Sequence, residues 1–233
     1  MGAASMDVAG VMTAEATIPV SRESRWTIIS CRALDIGLAA ALLLLLCPVL
    51  IAIALVIRLD SRGWVIFRQR RVGRDLRPFT VNKFRTMRAD ADHETHRNFV
   101  LKLITRGEGD DTVEKPFFKI ASDSRVTRVG RFLRRSSLDE LPQLWNVLRG
   151  DMSLVGPRPP IPYEVEHYPS HWFARFAVKP GLTGLWQVSG RSQLTLEEMI
   201  RLDVEYAENR SLWVNVRIIA RTVPVVLFAR GAA

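Results

Sequence analysis

The chain has 233 residues, 48% of them hydrophobic, and a formal net charge of +9 (33 basic against 24 acidic side chains). That length admits one ordinary domain with appendages, and the charge points to anionic partners: a phosphorylated substrate, an anionic membrane surface or nucleic acid. One very long apolar run argues against a free nucleic-acid binder, and the two cysteines, Cys31 and Cys47, offer neither a disulfide framework nor a zinc spacing.

Residues 1–27 read as a disordered tail, small and polar with few charges, and they lack the charged region directly before an apolar core that a signal peptide needs. Residues 28–60 hold the apolar run. From Ile36 to Ile57 there are 22 residues without a charge, which as a straight helix would span about 33 Å, roughly a bilayer core. Pro48 interrupts the run, where it removes a backbone hydrogen bond and predicts a kink or break. Basic residues flank the run on both sides, Arg22, Arg25 and Arg32 before it and Arg58, Arg62, Arg68 and Arg70 after it. A spanning helix should show a one-sided bias. A re-entrant helix–break–helix with both ends on the cytoplasmic face would show this pattern, so spanning and re-entrant readings both stand at this point.

A region of short mixed elements follows over residues 61–211. Val65–Phe67 and Phe79–Val81 flank a turn at Gly73–Asp75 and predict a small β-hairpin. Arg68, Arg70, Arg71, Arg74 and Arg77 make it a basic apron suited to phosphates or anionic lipid headgroups. Phe99, Leu101 and Ile104 suggest a short amphipathic helix before a loop at Gly107–Asp111, and Leu194–Ser211 a longer one with Leu196, Met199, Ile200, Val204 and Tyr206 near one face. The glycine-punctuated segment Val178–Ser192 would let backbone approach a ligand closely. Residues 212–233 form an apolar tail. With Arg217, Arg221 and Pro224 inside it, Leu212–Phe228 suits an interfacial helix with Trp213 at headgroup level better than a span.

The chemistry concentrates in Arg134–Pro160. Ser137 and Glu140 fit a capping box, in which Asp139 and Glu140 are first-turn acids favoured by the helix dipole. If the helix instead starts at Pro142, both acids lie just outside its mouth, where anions bind. A carboxylate there can serve as nucleophile or Mg²⁺ ligand, and residue types alone favour capping. Arg158, between Pro157 and Pro159, is presented from stiff backbone to a phosphate or to a structural carboxylate. His93 and His96 are not at helical metal spacing, and Pro169 separates His167 from His171.

The segments KFRTM (83–87), RVTRVGRFLRRSSLDELPQLWNVLRGDMSLVGPRP (125–159), VKPGLTGLWQVSGR (178–191) and LDVEY with SLW (202–213) closely resemble the bacterial sugar transferases, the small monotopic phosphoglycosyl transferases. The resemblance runs over about residues 30 to 228. It implies a helix-rich α+β fold, with a re-entrant membrane helix hairpin, interfacial helices and a small β-hairpin around a catalytic domain on the cytoplasmic face of the bacterial inner membrane. It implies transfer of a sugar 1-phosphate from a UDP-sugar to undecaprenyl phosphate with release of UMP, initiating exopolysaccharide or other glycoconjugate assembly. The route is ping-pong, through a covalent phospho-sugar on Asp139, with Glu140 as dyad partner and Mg²⁺ bound by both. Lys83, Arg134 and Arg158 match the family's phosphate-binding positions, and Asp203 a further acid of the site. The family breaks its membrane helix at Ser-Pro; here the pair is Cys47-Pro48, whose thiol is a weaker partner for the freed carbonyls. The absence of an upstream four-helix membrane domain is expected of a short form, and exopolysaccharide-initiating members suggest galactose or glucose as the sugar. Anionic lipids are implied as partners, nucleic acid is not, and a homo-oligomer is compatible with the reading. Direct ternary-complex transfer, or a non-catalytic membrane-anchored basic module, are the alternatives.

Overall fold

The computed structural model describes residues 23–88 and 125–227. The helix expected around Phe99 to Ile104, the loop at 107–111 and most of the N-terminal tail lie outside them. The described chain is a helix-rich α+β protein with two small two-stranded sheets.

Helix α1 (Arg25–Leu45) starts where the Ser24 hydroxyl accepts the Thr27 N–H, and it is long and apolar enough to cross a membrane. It stops at a single residue, Leu46, whose φ and ψ are −89° and 1°. Helix α2 (Cys47–Asp60) resumes at once. The break therefore falls two residues before Pro48, which sits in the first turn of α2, where a missing N–H costs nothing. Leu44 and Leu45 before the break, and Ile51, Leu55 and Leu59 after it, are exposed.

Both ends of this pair are tied to the rest of the fold. Arg32 of α1 donates to the carbonyls of Val147 (2.6 Å) and Leu148 (2.7 Å) in the last turn of helix α4 (Gln143–Arg149). It thus adds a cationic donor to last-turn carbonyls, of which that of Val147 also accepts the Gly150 N–H at 3.0 Å. One turn on, the buried Asp35 accepts the Ser153 hydroxyl at 3.0 Å and the Leu154 N–H at 2.8 Å. Past the end of α2, the buried Arg85 donates to the carbonyls of Ser61 (2.6 Å) and Arg62 (2.7 Å). Asp35→Ala strands the buried Leu154 N–H and is expected to lower stability by about 1–3 kcal/mol, read as a lower thermal midpoint of the detergent-solubilised protein.

Strand β1 (Ile66–Val72) pairs antiparallel with β2 (Pro78–Phe84), Ile66 opposite Phe84 and Val72 opposite Pro78. The expected hairpin is present and longer than its apolar runs. Asp75 and Leu76, both at positive φ, turn the chain. Helix α3 (Arg128–Ser136) opens on Thr127, whose hydroxyl accepts the Gly130 N–H, and lies near α2 through Leu133, Ile57 and Phe84. Strands β3 (Ser153–Val155) and β4 (Gly181–Thr183) pair in parallel. Between them run the Pro-Arg-Pro loop, helix α5 (Pro162–Val165) and the 3₁₀ turns of Ser170–Ala177.

After β4 come the short helix α6 (Leu185–Ser189), then α7 (Leu196–Asn209) and α8 (Leu212–Leu227). Thr195 and Glu198 close a capping box on α7, and Met199, Ile200 and Tyr206 are buried as the pattern required. Along α8, Leu212, Trp213, Val216 and Val223 are exposed while Ile218 faces the core. The main core gathers Ala39, Val81, Leu144, Val147, Met152, Leu154, Val155, Val178, Tyr206 and Ile218 from both sheets and four helices, each large aliphatic side chain contributing about 1.5–3 kcal/mol.

The glycines of 178–192 have a different use from the one expected. A Cβ on Gly181 would lie 2.0 Å from the Gly156 nitrogen, and one on Gly184 2.7 Å from the Gly156 carbonyl. Backbone approaches backbone here, because the β3–β4 pair has room for no side chain between its strands.

Candidate active site

The acidic pair lies on a single 3₁₀ turn, Leu138–Glu140, between α3 and α4. Ser137 does not cap it. Its φ of 58° and ψ of 15° make it the left-handed C-cap of α3, its N–H turned back to the Arg134 and Leu133 carbonyls. An N-cap needs extended backbone, so the capping box expected of Ser137 and Glu140 is absent. The helix proper opens after Pro142, and both acids lie just outside its mouth.

Instead of capping, the Glu140 carboxylate accepts Lys83 Nζ at 2.9 Å. Lys83 is held on β2 by its neighbour. The Asn82 N–H and side-chain amide both donate to Asn146 Oδ1 (3.1 and 3.0 Å), and the Asn146 amide donates to the Thr80 carbonyl at 2.7 Å. Asn146 is fully buried and stitches β2 to α4, bringing cation and dyad to a common point. Arg134, from the last turn of α3, is oriented by its Nε bond to Thr86 at 2.9 Å.

The two carboxylates are driven apart in acidity. Burial, reinforced by the charge of Glu140, pushes Asp139 up to about 6 against the pull of Lys83 and Arg134. Burial also acts on Glu140, but Lys83, Arg158 and Arg71 outweigh it and hold Glu140 below the usual range. Glu140 is thus a committed anion, and Asp139 is ionised at neutral pH without being the carboxylate Lys83 grips. Such a carboxylate, ringed by cations, can attack the phosphorus of an anionic substrate.

Lys83, Arg134, Arg158, Asp139 and Glu140 therefore come together. Asp203 does not join the dyad. It is buried behind the Pro-Arg-Pro loop, its Oδ2 accepting Arg175 Nη2 at 2.5 Å, and burial raises its carboxyl to about 7 against the pull of Arg175. Cys47 and Pro48 belong to the α1–α2 break, and Cys47 is exposed.

Two contributors, Arg191 and Asn146, escaped sequence reading, and a third, Arg71, was legible there only as one of several arginines suited to phosphate. Arg71, grouped with the apron, is buried and donates to the Pro159 carbonyl at 2.9 Å. Burial, then the like charge of Arg158, lowers its guanidinium to about 10. Arg191, at a φ of 51°, has Glu140 as its acidic neighbour. Asn146 looked like an ordinary helical residue. Arg71 had one legible signal, its alternation with Arg70, which puts it on the inward face of β1.

Comparison with known proteins matches the bacterial sugar transferase model over residues 26–229. The galactosyl transferase CpsE of Streptococcus agalactiae serotype III (strain NEM316) is 45% identical over 208 residues, covering 88% of this chain and 44% of the relative. The UDP-galactose-lipid carrier transferase of Erwinia amylovora is 42% identical over 201 residues, 86% of this chain and 41% of the relative. The UDP-glucose:undecaprenyl-phosphate glucose-1-phosphate transferase of Caulobacter vibrioides is 42% identical over 209 residues, 86% of this chain and 71% of the relative. The chain thus spans less than half the length of the first two. With a family match over nearly its whole described length, and with the basic-ringed acidic pair lying inside it, this chain belongs to the bacterial sugar transferase family.

Proposed function

We propose that the protein transfers a hexose 1-phosphate, galactose or glucose, from a UDP-sugar to undecaprenyl phosphate at the cytoplasmic face of the bacterial inner membrane, initiating exopolysaccharide assembly. The observation that carries this is the Asp139–Glu140 pair among Lys83, Arg134, Arg158 and Arg71. Several converging cations offset the repulsion between an attacking carboxylate and a diphosphate.

In the first step an Asp139 oxygen attacks the sugar-bearing phosphorus. The bond from that phosphorus to the bridging oxygen breaks, and UMP leaves with the bond electrons. In the second, a phosphate oxygen of undecaprenyl phosphate attacks the phospho-sugar and frees the Asp139 carboxylate. Lys83 holds Glu140 in place, while Arg134 and Arg158 bind phosphate oxygens. Among the described residues no three His, Cys, Asp or Glu gather as a metal cage, but two adjacent carboxylates suit Mg²⁺, which takes one or two and completes its shell with water and phosphate. Asp139 and Glu140 would hold it, and when bound it neutralises developing phosphate charge.

The membrane reading is supported by the ties at both ends of the helix pair. Arg32 and Asp35 near its start, and the carbonyls of Ser61 and Arg62 at its end, bond to the same catalytic fold, while Leu44 and Leu45 beside the break, and Ile51, Leu55 and Leu59 along α2, are exposed. Ends held by one domain cannot lie on opposite sides of a bilayer, which favours the re-entrant arrangement with residues 61–211 as the catalytic domain and α8 as an interfacial helix. Cysteine labelling at a site engineered before residue 25 checks it. Labelling from the cytoplasm is expected, and periplasmic labelling alongside a cytoplasmic catalytic domain would refute the hairpin.

Incubation with UDP-galactose or UDP-glucose alone tests the chemistry. UMP release with a hexose-phosphate adduct on the Asp139 peptide is expected, whereas UMP release only when undecaprenyl phosphate is added would indicate direct transfer. The rate should also follow Asp139. Its charged form is the reactive one and its pKa is raised to about 6, so kcat/KM for UMP release is present above pH 6 and is lost as pH falls through that value.

A further inference from the structure

The Pro-Arg-Pro loop is held along its backbone. The carbonyl of Pro157 accepts the Gly181 N–H at 2.9 Å, and that of Arg158 accepts Arg175 Nη2 at 2.8 Å. The Pro159 carbonyl accepts Arg71 Nη1 at 2.9 Å, and the Pro160 carbonyl accepts the Val72 N–H at 3.0 Å. Three of these four residues are prolines and have no N–H. The single remaining donor, the Arg158 N–H, lies toward the Asp203 carboxylate and favours its charged form, although Asp203 Oδ1 closes no full hydrogen bond. The same Arg175 nitrogen that meets the Arg158 carbonyl also meets Asp203 Oδ2.

We infer that Arg175 and Asp203 are positioning residues for the transfer: they hold the two peptide units that flank the Arg158 Cα and so aim its guanidinium, and they act through Arg158 and not on the substrate. Arg175 is 5% exposed and Asp203 1%. With Arg158, Tyr168, Glu164 and Trp186 they line a cavity of about 20 Å³, room for about one water. An arginine is needed because its two terminal nitrogens reach apart, Nη2 to the Arg158 carbonyl and Asp203 and Nη1 to the Tyr168 hydroxyl at 3.4 Å, while its plane lies near the Tyr168 ring, 5.8 Å from its centroid. The side chain of Arg158, freed from wandering, then meets phosphate at little entropic cost.

This inference rests on Arg158 binding phosphate, and a double-mutant cycle separates the two. Arg175→Met with Asp203→Leu replaces the buried pair by apolar groups of similar size, an exchange that folds often tolerate. UMP release from UDP-sugar is expected to fall about 10- to 100-fold, the scale of a small misplacement of a catalytic group. In an Arg158→Ala background the same pair of changes should alter the rate less than about threefold, because its target is gone. Arg175→Lys, which keeps the charge opposite Asp203 but loses the fork, should reproduce the loss and its dependence on Arg158 if the apolar pair fails to fold. Equal losses with and without Arg158, or no loss, would overturn the positioning role. A fully active Arg158→Ala protein would overturn the phosphate-binding reading, and this inference with it.

Discussion

Asp139→Asn is expected to abolish UMP release, by about 10⁴-fold or more, the scale seen when a catalytic nucleophile is removed. The amide has the shape of the carboxylate but cannot form the acyl phosphate. The fold should not suffer. Burial and the neighbouring charge of Glu140 both disfavour the Asp139 anion, so removing that charge relieves a repulsion and the thermal midpoint at neutral pH should be unchanged or raised. Activity and melting are thus predicted to move independently. A folded, membrane-bound Asp139→Asn protein with full activity would end the nucleophile reading. Glu140→Gln should behave differently, since it removes the partner of Lys83 at 2.9 Å and so disturbs the arrangement of the cations as well as their charge balance.

Gly181→Ala is expected to be among the most damaging single methyls at the described residues, costing about 3 kcal/mol or more. The added Cβ would meet the Gly156 nitrogen at 2.0 Å and the Thr183 carbonyl at 2.5 Å. Both are backbone atoms, so no side chain can swing aside. The β3–β4 pair would have to separate, and with it the Gly181 N–H bond to the Pro157 carbonyl that anchors the Pro-Arg-Pro loop. Loss of soluble, monodisperse protein in detergent, or a thermal midpoint lowered by several degrees, is the measurement; an unchanged midpoint would show that the strands do not approach this closely. Activity should fall alongside stability, in contrast to Asp139→Asn.

Local patterns were legible where a residue's partner is close in sequence. The β-hairpin followed from its alternation and turn, α7 from its apolar spacing, and the end of α1 near Pro48 from the absence of a proline N–H. Capping at Ser137 was misjudged because the same serine ends α3, and a residue in the left-handed region cannot also open a helix. The break fell at Leu46 and not at Pro48 because the proline is better used at the start of the second helix than in the middle of one long one. The glycines of 178–192 signalled close approach correctly, but the thing approached was Gly156, some 25 positions earlier, and nothing local names it.

The sequence by itself determined that this is a basic chain of a recognisable family, with one long apolar run and a carboxylate pair between two helical segments, since hydropathy, charge and motif are properties of residue order. Tertiary structure alone decided which acid is held below the usual carboxylate range and which is raised above it. Lys83 and Glu140 are 57 positions apart, Arg71 and Pro159 88, Arg32 and Val147 115, and contacts at such separation leave no periodic trace. It also decided that Asp203 stands behind the loop and not in the dyad, because the burial that shifts a carboxyl and the arginine that faces it come from elements that meet only when the core closes.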